Sequence, residues 1–158
     1  MKFGKTAVKS AIGAAGITAA VFTAAPAIAN PAIQGFGTSA PIVNGPLVTA
    51  YTVSDLQPSN AMIPGYQPQG QLWQADVTAV ANSGTVTPLV SAFNARTATG
   101  QTYHVVNTLP TPNGLSPAPI TQGGQTTGTI YFDVNGAPPN GVVYNDGVQD
   151  VLIWTNNA

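Results

Sequence analysis

Beyond residue 9 the chain carries one histidine (His104), one arginine (Arg96) and five aspartates (Asp55, Asp76, Asp133, Asp146 and Asp150), with no glutamate and no cysteine. An acid-base or triad mechanism would have to centre on His104, paired with an oriented carboxylate and a nucleophile. His104 falls between Tyr103 and Val105 on the polar register of a strand, and no G-x-S-x-G turn occurs. It reads as a solvated strand residue. Two aspartates could in principle run glycoside hydrolysis, but Asp76 and Asp133 point outward from strands and Asp146 belongs to a turn. The sequence assigns no catalytic residue, and a non-catalytic protein is expected.

Asn145, Asp146 and Asp150 could offer oxygens to calcium, but the alternating ligands and terminal glutamate of an EF-hand loop are missing. A hairpin explains Asn145-Asp146-Gly147 without a metal, and one histidine without cysteine is too little for zinc. Gly35-Phe36-Gly37-Thr38-Ser39-Ala40 spells a dinucleotide fingerprint, but no buried strand precedes it and Pro41 prevents a helix from opening after it. No cofactor is implied. Trp73 and Trp154 could stack on sugars, yet Trp73 shares its register with Ala75 and Val77, and Trp154 ends a nearly continuous apolar run, so both are expected in the core. A carbohydrate- or cell-wall-binding module would instead need an exposed strip made from Trp73, Trp154 and Tyr131. Arg96 is expected to form a cross-strand salt bridge to an aspartate.

These residues must be positioned by strands. From Leu47 onward the dominant period is two, as in half-buried strands. In Gln71 to Asn82 the apolar Trp73, Ala75, Val77, Ala79 and Ala81 alternate with Gln74, Asp76, Thr78 and Asn82, while Leu72 and Val80 break the pattern. Leu47 to Val53, Leu89 to Thr97, Gln101 to Asn107, Thr127 to Val134, Val142 to Asn145 and Val148 to Trp154 complete a set of about seven strands. Turn residues bound each run. Ala98-Thr99-Gly100 and Asp146-Gly147 read as hairpin connections, and no long helix is expected after residue 29. The fold class predicted is an all-β, immunoglobulin-like antiparallel sandwich, with a closed barrel as the alternative.

Antiparallel connectivity places the connections Ser54 to Gly70, Ala98 to Gly100 and Asn135 to Gly141 at one end of the sandwich. Ser83 to Pro88, Thr108 to Gly124 and Asp146-Gly147 fall at the other. Loops on a rigid scaffold commonly carry binding residues, and the connection from Ser54 is long enough to call for a function. Met62, Ile63 and Tyr66 are therefore the candidate partner-binding residues, with Tyr66 as the anchor, since a rigid aromatic loses little entropy on binding.

Val53-Ser54-Asp55-Leu56, Ile63-Pro64-Gly65-Tyr66, Phe93-Asn94-Ala95-Arg96-Thr97-Ala98, Ile130-Tyr131-Phe132-Asp133-Val134 and Leu152-Ile153-Trp154 follow one another in an order that resembles the small secreted immunogenic antigen family of mycobacteria. The resemblance spans roughly Val53 to Trp154. It implies export with a cleaved signal, an immunoglobulin-like sandwich, no established biochemical activity and, by analogy with cell-surface domains, a protein partner at a host surface. The chain departs from that family in lacking Lys and Glu beyond the signal and in its long Pro/Gly/Asn loops.

The N-terminus agrees with export. Lys2, Lys5 and Lys9 precede an apolar run from Ala11 to Ala25, and Ala27-Ile28-Ala29 supplies a small-x-small cleavage site. Gly13, Gly16 and Thr18 interrupt the run and Pro26 stops it, so it suits a signal better than a span, and no span is expected in the mature chain. The expected organisation is a signal over residues 1–29, a Pro/Gly/Ala-rich segment over 30–46 with an edge strand at Ala32 to Phe36, and a sandwich over 47–158. One arginine against five aspartates gives the mature chain a charge of −4, which excludes nucleic acid and anionic membrane surfaces as partners. The expected location is secreted, extracellular or at the cell envelope. Intact mass of the protein from culture filtrate should correspond to residues 30–158; a dominant species retaining Lys2 to Lys9 would contradict this.

Overall fold

The structure is a computed structural model and describes residues 30–157; the cleavage site between Ala29 and Asn30 and the signal region lie outside the described residues. Nine strands form two sheets: β1 (Ala32–Gly35), β2 (Ser39–Asn44), β3 (Leu47–Pro58), β4 (Gln71–Ser83), β5 (Phe93–Arg96), β6 (Thr102–His104), β7 (Gln125–Val134), β8 (Gly141–Asn145) and β9 (Asp150–Thr155). One sheet runs β1-β9-β8-β5-β6 and the other β2-β3-β4-β7. All pairings are antiparallel except β1 with β9, where Ala32 to Gly35 run parallel to Leu152 to Thr155. A single 3-10 turn, Val90–Ala92, is the helical element among the described residues. The sandwich expected from the period-two pattern is the fold found.

Alternation explains where the core lies. Ala75, Val77, Ala79 and Ala81 of β4 are fully buried, and their small side chains leave room for large ones from the facing sheet. Phe93 of β5, wholly inaccessible to solvent, meets Tyr51 of β3 and Tyr144 of β8 edge-on, each with ring centroids 5.2 Å apart. Trp154 of β9 stands 6.4 Å from Phe93, and its indole N–H donates to the Thr38 carbonyl at 2.8 Å. Edge-to-face geometry and burial both favour such a cluster. Burial, followed by the neighbouring Tyr51, raises the Tyr144 hydroxyl well above its ordinary pKa.

Several boundaries differ from the sequence pattern, each for a local reason. Residues 30–46, read as a Pro/Gly/Ala-rich segment with one edge strand, contribute both β1 and β2 to the two sheets; Pro41 is accommodated because β2 is an edge strand, where a missing N–H is tolerated. β3 continues to Pro58 past a register shift between Ser54 and Gln57, with Asp55 at φ 57°, a backbone state that aspartate accepts more readily than most residues. The connection to β4 is correspondingly shorter. Leu89 to Ala92 is not strand, because the chain there crosses from one sheet to the other. The β8–β9 connection spans 146–149, since Asp146 Oδ1 accepts from the amides of Val148 and Gln149, both at 2.9 Å.

The chain after β6 also changes sheet. Val105 bridges Phe132, and the Val106 amide donates to the Tyr131 carbonyl at 2.7 Å, so the free edge of β7 is covered. The chain returns to that edge where the Thr129 amide donates to the Asn113 carbonyl at 2.8 Å. Gly128 permits this approach, because a Cβ there would strike the Leu115 backbone.

Trp73, expected between the sheets, lies on the core register beside Phe132 and Pro58 but near the start of β4, where the sandwich opens, and is only half-buried. Phe93→Ala should therefore lower unfolding free energy by about 3–5 kcal/mol, and Trp73→Ala by distinctly less. Urea unfolding checks the order; equal losses would contradict it.

Candidate recognition surface

Leu72 and Tyr131 occupy the outward register of β4 and β7, where solvent-facing residues should be polar. Both are buried, because the connection Ser59 to Gly70 folds back over this outer face instead of projecting from the end of the sandwich. Ile63, Leu72, Val106 and Tyr131 form a second apolar cluster there, flanked by Ala61, Tyr66 and Leu109. Outward apolar side chains need cover, and the loop supplies it.

Hydrogen bonds hold the loop at both ends. At its start, the Ser59 amide donates to the Leu72 carbonyl at 2.7 Å, and Ser59 Oγ donates to Gln74 Oε1 at 2.7 Å. At its close, Asp133 accepts from the Tyr66 hydroxyl at 2.7 Å and from the amides of Gln69 and Gly70 at 2.8 and 2.9 Å. Burial alone would raise the Asp133 carboxyl, but these donors outweigh it and hold the group below 3.8. Tyr66 is pushed up to about 12, by burial first and then by the hydrogen bond and charge of Asp133.

The three candidate residues thus take different positions. Ile63 is 4 % exposed and anchors the loop, while Tyr66 is half-exposed and tied through its hydroxyl. Met62, between Ala61 and Ile63, is 85 % exposed. Sequence reading missed Asp133 as the group that straps the loop. The available signal was Leu72, an apolar residue on a polar register, which marks a face that something must cover.

Other polar residues are engaged within the chain. Asp76 accepts from Thr129 Oγ1 at 3.0 Å. Arg96 pairs with Asp150 through both terminal guanidinium nitrogens, and Asn145 Nδ2 donates to the same carboxylate at 2.9 Å. The arginine of β5 must reach over β8 to meet β9, which helps explain why the outward-facing Val143 is fully buried. The expected arginine–aspartate bridge is present. Arg96, opposed by burial but helped by Asn145, holds the Asp150 carboxyl below its usual value. His104 is exposed and its Nδ1 lies 2.7 Å from Oδ1 of Asn94, its cross-strand partner. Trp154 and Tyr131 are buried and Trp73 half-buried, so these rings do not make an exposed stacking strip.

Two sheets joined by an aromatic core, with a strapped loop on one outer face, define an immunoglobulin-like β-sandwich built to hold loops in place. The chain belongs to the family described as Domain of unknown function (DUF1942), whose model matches residues 31–154. It is 44 % identical over 153 residues to immunogenic protein MPB63 of Mycobacterium bovis, covering 94 % of this chain and 96 % of that one. Immunogenic protein MPT63 of Mycobacterium tuberculosis shows the same identity and coverage. The crystal structure of MPT63, a secreted protein from M. tuberculosis, superposes with a TM-score of 0.78 at 46 % identity, covering 80 % of this chain and 98 % of that one. The yjhA protein of Bacillus subtilis shares the fold at a TM-score of 0.52 and 17 % identity, over 74 % of this chain and 84 % of its own. The mycobacterial antigen resemblance read from the sequence is therefore correct.

The lowered carboxyls set the acid limit of stability. A group whose folded pKa lies below its unfolded value contributes stability that is present above the unfolded pKa and lost as pH falls through the folded one. For Asp133 and Asp150 the loss should begin near pH 4 and deepen below it. Asp133→Asn and Asp150→Asn should each be less stable at neutral pH and show a shallower acid loss. Urea midpoints from pH 7 to 2 test this; profiles parallel to wild type would contradict it.

Proposed function

We propose that the mature chain is an exported, non-catalytic β-sandwich that acts by recognising a protein at a host surface, through the face bearing Met62 and the exposed part of Tyr66. The observation that carries this reading is the contrast within one loop: Met62 stands in solvent while Ile63 beside it is buried and Tyr66 is bonded to Asp133. A loop already ordered before contact loses less entropy on binding. An exposed methionine adds adaptable apolar area.

Export is supported by the charged, apolar and small-x-small pattern of residues 1–29, and by relatives named as immunogenic proteins, one of them described as secreted. Among the described residues no helix is long and apolar enough to cross a membrane. A non-catalytic role is supported by the engagement of Asp76, Asp133, Asp146 and Asp150 with donors of the chain itself. Their hydrogen bonds serve to hold strands and turns.

With the mature protein as bait on host-cell surface membranes, Met62→Ala should weaken capture of the partner by more than about 1 kcal/mol. Its melting temperature should stay that of wild type, because surface substitutions of this kind change stability by about 0.5 kcal/mol or less. Unchanged capture by Met62→Ala, with loss on Ala118→Asp in the Thr108 to Gly124 connection, would move the surface to that connection.

A further inference from the structure

Between Val106 and Asn113 the chain leaves the edge of β7 and returns to it, and the detour borders a cleft that opens to solvent. The stretches Thr87 to Ser91, Val105 to Thr111 and Gly114 to Pro117 wall a cavity of about 700 Å³ that reaches Thr129 and Ile130 of β7. That volume lies within the roughly 300–1,000 Å³ of small-molecule sites. The detour is fixed in place: the Tyr131 hydroxyl donates to the Pro112 carbonyl at 2.9 Å, and the Gly114 amide to the Thr111 carbonyl at 3.2 Å. Pro88, Pro110 and Pro117 stiffen the three walls.

The lining defines the ligand. Leu89, Val90, Val105, Leu109, Leu115 and Ile130 supply its apolar part, and no ionisable side chain is present in it. A charged group entering would find no counter-ion to offset its desolvation. The polar components are hydroxyls, among them Ser91 and Thr108, and the amide of Asn107. We propose that this cavity binds an uncharged lipid-like molecule, with an apolar body and one hydroxyl or carbonyl end. The site shares Val106 and Leu109 with the apolar cluster beneath Ile63, but it does not depend on a protein partner.

The test is a fluorescence titration of the mature protein with N-phenyl-1-naphthylamine, an uncharged dye that brightens in apolar surroundings. Saturable binding of one dye per chain is expected, with displacement by 1-decanol at least tenfold more effective than by decanoate. Ser91→Trp and Thr108→Trp, which place bulk on two different stretches of the lining, should each weaken dye binding at least tenfold. Val43→Trp, at an exposed position on β2, should leave it unchanged. Backbone amide shifts of the wild-type protein on adding 1-decanol supply a readout that does not depend on variants folding; they should move at Leu89 to Ser91, Val105 to Leu109 and Gly114 to Ser116. Absence of saturation, equal displacement by decanol and decanoate, or shifts confined to other residues would overturn the proposal.

Discussion

The packing of Phe93 among Tyr51, Tyr144 and Trp154 is the interaction on which the rest of the molecule depends. There is no cysteine to cross-link the sheets, and among the described residues one arginine–aspartate pair supplies the ionic bonding. Cohesion between the sheets must come from apolar burial. Four aromatic rings drawn from three strands of one sheet and one of the other concentrate that burial at the centre, and the alanines of β4 provide the matching relief. The same cluster recruits the N-terminal segment, since Trp154 bonds to Thr38 and β9 pairs with β1.

A fixed core turns the edges and outer faces into places where loops can be held. The chain covers the edge of β7 with residues 105 and 106, and again near 113, closing a side that would otherwise invite pairing with another chain. One outer face receives the loop 59–70, fastened by Asp133 and by a small apolar cluster. The other is spanned by Arg96 and Asp150. Scarce charges are thus used as fasteners, and the surface beside them is largely neutral: exposed methionine on the loop, hydroxyls and prolines around the cavity.

Much of this was legible in the sequence because the period of two is strong where one face is buried and the other wetted. Gln71 to Asn82 gave β4 almost to the residue, and the position of Trp154 in a continuous apolar run marked a core residue. Legibility failed where tertiary structure overrode local pattern. Ser39 to Asn44 reads as linker because it lies in a Pro/Gly/Ala-rich segment, although an edge strand tolerates Pro41. Gln101 to Asn107 reads as one strand, but the chain leaves one sheet after His104 and joins the edge of the other at Val105. The candidate site was partly visible: Met62, Ile63 and Tyr66 stand out as apolar residues in a long connection, but their division into an exposed Met62, a buried Ile63 and a half-exposed, tethered Tyr66 requires knowing that Leu72 and Tyr131 lie beneath the loop and Asp133 beside it. No periodicity encodes a bond between residues 67 positions apart.

Asp133 and the cluster under Ile63 order the loop 59–70 in the free protein, so that Met62 is displayed from a rigid support. Backbone amide order parameters of the mature protein test it most directly. Values of about 0.85 are expected through residues 61–70, comparable to β4 and β7; values below about 0.6 there, with the strands rigid, would show that the loop is not held.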